Sequence, residues 1–405
     1  MAEAGTQSVT RGRTTTDQLR ERNLSDLVAI LHREGPSSRK NLTERLGVTR
    51  STMGVLLSDL SRMGLVIERP SSEERGVGRP SFIQELDPST VAVAVDVAVD
   101  TVQVALIGPT GAVRGRTSTA VSSGGLDVSG LCEIVVSALP ELLSGSRGPL
   151  RVLGVGVGVP GQVRVADGIV READHLGWYD VPLAAELARA TGLPVRAANA
   201  ATLAMRAECT FGEGRGRDYV LHLVGGSSGI GGGYIGRDGE IFLGAEGYAG
   251  EIGHTVVVPE GRPCHCGSSG CLQAEVTRGE LLGAVGLSGP DIDLLPERLA
   301  EMVFDDDVRP IVDRQARLLA IAIRNAVNLL NPSTVIVSGF LAALVAVWGP
   351  ERFVQEALRS TRAGLTIIPV DRPAFAQVLI GAGELIFDQL IAAPGRTASA
   401  VRLTP

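Results

Sequence analysis

The feature that most limits how this chain can fold is a run of metal-type side chains in a stretch with little of its own to bury. In GEIGHTVVVPEGRPCHCGSSGCLQAE, His254 is followed by Cys264, Cys266 and Cys271. Three of the chain's five cysteines crowd into this run, which in a reducing compartment reads as metal rather than disulfide. One imidazole and three thiolates make the closed Cys₃His set of a structural zinc, with no position left for water. His265, between two of the cysteines, is a competing ligand. A zinc here would hold a glycine-rich loop that lacks a core.

The 405 residues suffice for two or three domains, and 44% apolar with 20% charged residues describes a globular chain. No apolar run approaches the ~20 residues of a membrane span. The N-terminus is polar and Arg/Thr-rich without a signal-peptide core, so a cytoplasmic protein is expected. The net charge of −7 argues against nucleic acid until its distribution is examined. Residues 1–80 hold thirteen Arg/Lys against ten Asp/Glu, net +3, so the rest carries −10. A basic head on an acidic body is the asymmetry of a DNA-binding module fused to something else.

Within the head, residues 11–22 read as a loose polar arm. Leu24, Leu27, Val28 and Leu31 then recur at helical spacing behind Asn23 as N-cap, until Gly35–Pro36. Ser38 caps a second short helix with Leu42 and Leu46 inward. Gly47 turns the chain, and Thr49 caps a third helix with Met53, Leu56, Leu57 and Leu60 toward the core. This is the helix-turn-helix layout. Arg50, Ser51 and Thr52 fall in the first turn of the third helix, where a recognition helix meets base edges. LVIERP and RPSFIQEL read as two strands of a wing, and Arg75 and Arg79 between them are placed to reach phosphate or a minor groove.

The remainder alternates strands with helices, the signature of α/β architecture. TVAVAVDVAVDTVQVALIGPTGAV reads as two strands joined by a turn near Gly108, and LRVLGVGVGVP as a buried strand. A helix over 183–191, a strand over 193–198, a helix from about 201, the strand YVLHLVGG, a long helix over 309–330 and the strand TVIVSG follow. Glycine clusters at 154–161, 225–236 and 244–253 mark places where the backbone approaches either a ligand or another chain.

The zinc segment, together with GVGVPGQV, GWYDVPLAAELARATGLPV, GAEGYAGEIGH and NLLNPSTVIVSG, resembles the ROK family of repressors, open reading frames and sugar kinases over about residues 90–390. The head resembles that of the family's regulator branch. The resemblance implies a winged helix-turn-helix domain over 1–88 and a two-lobed, actin-like sugar-kinase body over 89–405. Lobe one would span about 89–199 with the C-terminal helix, and lobe two about 200–376 with the zinc site. It also implies a homodimer or homotetramer.

Against the family pattern the kinase chemistry is damaged twice. Active members carry D-x-G-G-T as a phosphate loop, and this chain has Asp96-Val97-Ala98-Val99-Asp100. They carry the general base in E-N-D-A-N, and here Ala200 stands where the aspartate belongs; a methyl group takes no proton. A second phosphate loop, G-T-G-I-G in the family, reads Ser227-Ser228-Gly229-Ile230-Gly231. No catalytic residue is therefore assigned. Of the family's sugar contacts, Gly161, Asn199, Glu251 and His254 match, whereas Gln273 replaces a glutamate. A sugar, amino sugar or sugar phosphate is the expected ligand, and the space beside Ala200 suggests tolerance of a bulkier or anionic one.

The expected function is a DNA-binding regulator, a repressor of carbohydrate genes, whose operator affinity follows a sugar or sugar phosphate in the cleft. The first alternative is a ligand-independent regulator whose body only oligomerises or docks a protein. The second is a sugar kinase with an accessory DNA-binding head.

Overall fold

The computed structural model describes residues 16–70, 82–122, 125–145, 148–395 and 401–403. These divide into two compact units, split after Asp87 and again after Asp388, so that residues from Gln389 group with the first unit and 401–403 with the second. The sequence reading had given everything after residue 88 to the body.

The first unit runs α1 (Thr16–Glu34), β1 (Ser37–Ser38), α2 (Arg39–Leu46), α3 (Arg50–Arg62), β2 (Val66–Pro70) and β3 (Phe82–Leu86). Ser38 accepts a hydrogen bond from the Asn41 amide to start α2, Gly47 ends it in the left-handed region at φ 66°, and Thr49 accepts from the Thr52 amide to start α3. Leu27, Val28, Leu42, Met53, Leu56 and Leu60 fill the core. Asp59 is buried among them, paired with Arg20 and Arg62. The strands form an antiparallel sheet in the order β1-β3-β2. Helix α1 is already formed at Thr16, so Asn23 lies inside it and caps nothing. Residues 16–22 are polar but rich in helix formers, and their propensity outweighs the cap signal.

The second unit opens with β4 (Thr90–Val97), β5 (Thr101–Ile107), β6 (Val113–Ala120), α4 (Val128–Ser144) and β7 (Leu150–Val159). A small antiparallel sheet follows, β8 (Gln162–Arg164), β9 (Ile169–Ala173) and β10 (Trp178–Val181), then α5 (Leu183–Thr191) and β11 (Val195–Asn199). The main sheet has the order β11-β7-β4-β5-β6. The sequence reading saw two strands turning near Gly108. There are three, and the first turn falls at Ala98–Asp100, where no glycine or proline interrupts the apolar run.

The chain continues through α6 (Ala200–Phe211), β12 (Val220–Gly226), β13 (Gly229–Ile235), α7 (Leu272–Glu275), α8 (Arg278–Ala284), α9 (Leu295–Met302) and α10 (Arg309–Leu330). It ends with β14 (Thr334–Gly339), α11 (Phe340–Trp348), α12 (Pro350–Glu356), α13 (Arg359–Arg362), β15 (Thr366–Val370), α14 (Ala374–Ala392) and β16 (Val401–Leu403), the last pairing antiparallel with β7. The second sheet has the order β13-β12-β14-β15.

Helix α14 lies unusually close to its neighbours. A Cβ at Gly156 of β7 would overlap the Ala382 carbonyl oxygen, and one at Gly381 would overlap the Leu203 carbonyl oxygen of α6. Glu208 of α6, fully buried, accepts from Gln377 at 2.8 Å and from Arg372 at 2.7 Å, and Arg206 pairs with Asp388. By length and composition α14 could cross a membrane, which the sequence reading expected of no stretch. Its Leu379, Ala382, Ile386 and Phe387 are instead buried in the core.

Candidate functional site

Arg50, Ser51 and Thr52 occupy the first turn of α3, as the capping signal of Thr49 implied. Arg50 is exposed and makes no hydrogen bond or ion pair among the described residues, whereas the Ser51 and Thr52 hydroxyls each lie 2.9 Å from Thr49 Oγ1. The guanidinium is thus free for a partner, and the two hydroxyls shape the helix start. Arg75 and Arg79 lie outside the described residues.

In the second unit a cleft of about 1190 Å³ opens where β4, β7 and β11 end and where β12 turns into β13. Gly161, Asn199, Glu251, His254 and Gln273 all line it. Two of them are committed to the fold. Asn199 Oδ1 accepts from the Ala201 and Thr202 amides at 2.8 and 3.1 Å, capping α6, and its Nδ2 donates to the Gly161 carbonyl at 2.9 Å. One amide N–H remains for a ligand. A Cβ at Gly161 would overlap the Glu172 carbonyl oxygen, so β9 already requires glycine there. Glu251 faces His254 Nε2 at 3.9 Å, and burial holds its carboxyl above the usual range against the pull of His254. Gln273 is held at both ends: its Oε1 accepts from the Ile230 amide at 3.4 Å, and its Nε2 lies 3.3 Å from His265 Nε2 and 3.7 Å from Cys264 Sγ.

The turn after β4 bonds to the turn between β12 and β13 and to the start of α8. The Val99 amide donates to Ser228 Oγ at 3.3 Å, and Arg278 pairs with Asp100 at 3.3 Å. Asp96, at the end of β4, lines the cleft with 7% of its surface exposed, and burial, reinforced by Asp100, pushes its carboxyl up to about 7. The sequence reading treated Asp96 only as part of a degraded loop. Its burial comes from β5 and β7 on either side, which no local motif announces. His175 was also missed: its ring packs at a tilt of 51° against that of His265 with centroids 3.8 Å apart, bringing a loop after β9 against the cysteine loop.

The donor atoms of His254, Cys264, Cys266 and Cys271 all lie within 4.8 Å of one another, so this cluster can hold a metal ion. Cys266 Sγ is 3.7 Å from Cys271 Sγ, and His254 Nδ1 is 3.7 Å from Cys264 Sγ. Tetrahedral zinc with its usual bond lengths requires S···S of about 3.8 Å and S···N of about 3.6 Å, so the donors fit. His265 is not among the four; Gln273 and His175 occupy its ring. The loop is shaped by its backbone. Gly270, at φ 72°, passes so close to the Val258 carbonyl that no side chain fits, and the Cys264 amide donates to Ser268 at 2.8 Å.

The ROK family model matches residues 92–367, which contain the cysteine loop and most of the residues lining the cleft. This chain belongs to the ROK family. Among its ROK relatives, the xylose repressor of Caldicellulosiruptor bescii is 28% identical over 316 residues, spanning 74% of this chain and 78% of that protein. The glucokinase of Thermotoga maritima is 31% identical over 284 residues, 65% of this chain and 87% of that one. In fold, a ROK family transcriptional regulator described as a homologue of the E. coli MLC protein superposes with a TM-score of 0.70 at 22% identity, covering 92% of this chain and 98% of its own. A ROK glucokinase from Streptomyces griseus, solved with glucose and AMPPNP, gives 0.58 at 23% identity over 73% of this chain and 98% of its own. Together they make the chain a winged helix-turn-helix head on a two-lobed, actin-like α/β body, within the regulator branch of the ROK family.

Proposed function

We propose that the protein is a transcriptional repressor of carbohydrate genes whose affinity for its operator is set by a sugar-class ligand in the cleft, and that it does not phosphorylate that ligand. The observation that carries this reading is Ala200 at the first position of α6, in a cleft where the turn after β4 is bonded to the β12–β13 turn and to α8, in a chain with a free arginine at the start of a recognition-type helix. Phosphoryl transfer needs a base and a cradle; a methyl group supplies neither. The relatives named xylose repressor support the regulatory half of the reading.

In this reading the head is residues 1–88 and the body 89–405, and the protein acts as a cytoplasmic homodimer or homotetramer. Arg50 reads a guanine edge through its fork of N–H donors, with Ser51 and Thr52 beside it and Arg75 and Arg79 on the backbone. Glu251, His254 and the remaining Asn199 N–H hold ligand hydroxyls, with Gly161 and Gln273 shaping the wall. His254, Cys264, Cys266 and Cys271 hold a structural zinc, which when bound supplies a cross-link and no chemistry. The ligand shifts operator affinity only by binding the DNA-competent and DNA-incompetent states unequally.

The internal bonds of Asn199 and the packing need at Gly161 favour a second reading, in which these residues persist for the fold and the body only oligomerises or docks a protein. Genome-wide mapping of bound sites, followed by gel shifts on those sites with a sugar panel and a coupled ATPase assay, separates the readings. Operator binding that responds to a sugar without ATP turnover supports the first. Indifference to every sugar selects the second, and sugar-dependent ATP turnover overturns both in favour of a kinase.

A further inference from the structure

Asp96 is a buried carboxyl without a partner. It is 7% exposed, lines the cleft, and makes no hydrogen bond or ion pair among the described residues. Its register partners are Gly158 on β7 and Gln103 on β5, and Gly158 in turn pairs with Ala198 on β11, two residues before Ala200. Asp96 and the start of α6 therefore face the same end of the sheet, two strands or roughly 10 Å apart. The family aspartate that Ala200 replaces would have shared this end; its absence leaves Asp96 the carboxyl at this level of the sheet.

The charges around it have a consistent sign. The two arginines lining the cleft are occupied, Arg278 by Asp100 at 3.3 Å and Arg372 by Glu208 at 2.7 Å. Arg116, behind the wall, donates to Gln103 at 2.7 Å and lies over the Phe375 ring. Glu172, Asp174, Glu251, Asp293 and Asp371 also line the cleft. An anionic group beside Ala200 would meet like charge. A neutral hydroxyl would leave the cost of ionising Asp96 largely unmet.

We propose that the cleft takes an amino sugar bearing a free ammonium group, and that Asp96 is the carboxylate that pairs with it. This rests on the reading of the cleft as a sugar site and names the chemical class of its ligand. It departs from the anionic ligand that the space at Ala200 first suggested. The upward displacement of the Asp96 carboxyl agrees with it: the empty cleft disfavours the charge, and a cation restores it.

The test is a set of melting curves and titrations on the full-length, zinc-replete protein with glucosamine, N-acetylglucosamine, glucose and glucose 6-phosphate at millimolar concentration, and with Mg²⁺ alone. Glucosamine should raise the melting temperature most. Asp96→Asn should weaken glucosamine binding about 10- to 100-fold, the span of one charged hydrogen bond. Equal shifts from glucosamine and its N-acetyl or hydroxyl counterparts would overturn the proposal while leaving the sugar site intact, and this comparison does not depend on the variant folding. So would an unchanged glucosamine affinity in Asp96→Asn, or a Mg²⁺ response that the variant abolishes. No shift with any sugar would remove the sugar site itself.

Discussion

Asp100 and Arg278 meet at 3.3 Å across the cleft, one from the turn after β4 and the other from the first residue of α8. With the Val99–Ser228 bond beside it, this pair ties the turn after β4 both to α8 and to the turn between β12 and β13. Restoring the missing base alone should then restore nothing. Ala200→Asp is expected to show no sugar-dependent ATP turnover in a coupled assay, because the cradle stays closed. Turnover in that single variant would mean that the closed loops open readily and that Ala200 was the only lesion.

The donor distances at His254, Cys264, Cys266 and Cys271 lead to a metal prediction. Protein purified without chelator should carry one zinc per chain by elemental analysis. Cys266→Ser should lose it and lower the melting temperature of the body, since the loop between Ile252 and Cys271 has few buried side chains of its own. A zinc-free preparation with an unchanged melting temperature would contradict this.

Arg50 has no hydrogen bond or ion pair among the described residues, so its removal should cost the fold little. Arg50→Ala should weaken operator binding by about 1–3 kcal/mol and relax preference at one base position. The measurement is a binding series against operators varied one base pair at a time. A uniform loss across all of them would make Arg50 a phosphate contact.

The Asp96 carboxyl gives a pH dependence whose sign is fixed. Its value rises from 3.8 in the unfolded chain to about 7 in the fold, so the folded state holds the proton longer. The stability it contributes is complete below about 3.8, falls as the pH rises through that interval, and is gone above about 7. Asp96→Asn removes the penalty. Without ligand, the variant should be more stable than the parent above neutral pH, by on the order of a few kcal/mol, and so melt higher, with the advantage shrinking toward pH 5. Parallel melting curves over that range are the measurement, and a constant difference would show that Asp96 is not strained by its burial.

The head could be read from sequence because each of its signals is local: Ser38, Gly47 and Thr49 act within three or four residues of themselves. The metal cluster was legible for the same reason, its donors spanning eighteen residues. What stayed hidden depends on distant neighbours. Asn199 kept its family identity, yet only the positions of Gly161 and α6 reveal how much of its hydrogen-bonding capacity is already used. His175 and His265 stand ninety residues apart and meet through folding alone. The β4–β5 turn was missed because Ala98–Asp100 carries no glycine or proline and Asp100 alone is a weak signal, whereas the turn near Gly108 is present between β5 and β6.

The glycine seats under α14 have a mechanical consequence. With bare backbone at Gly156 and Gly381 touching carbonyl oxygens, α14 meets β7 and α6 backbone to backbone at these two points, where no side chain can absorb strain by changing rotamer. Glu208, gripping Gln377 and Arg372 together, removes the sliding freedom that a greasy contact would leave. Helices α6 and α14 therefore behave as one stiff strut. Since α6 begins at the cleft wall with Asn199 as its cap, the Glu208 bonds and the Arg206–Asp388 pair couple any tilt of α6 to α14.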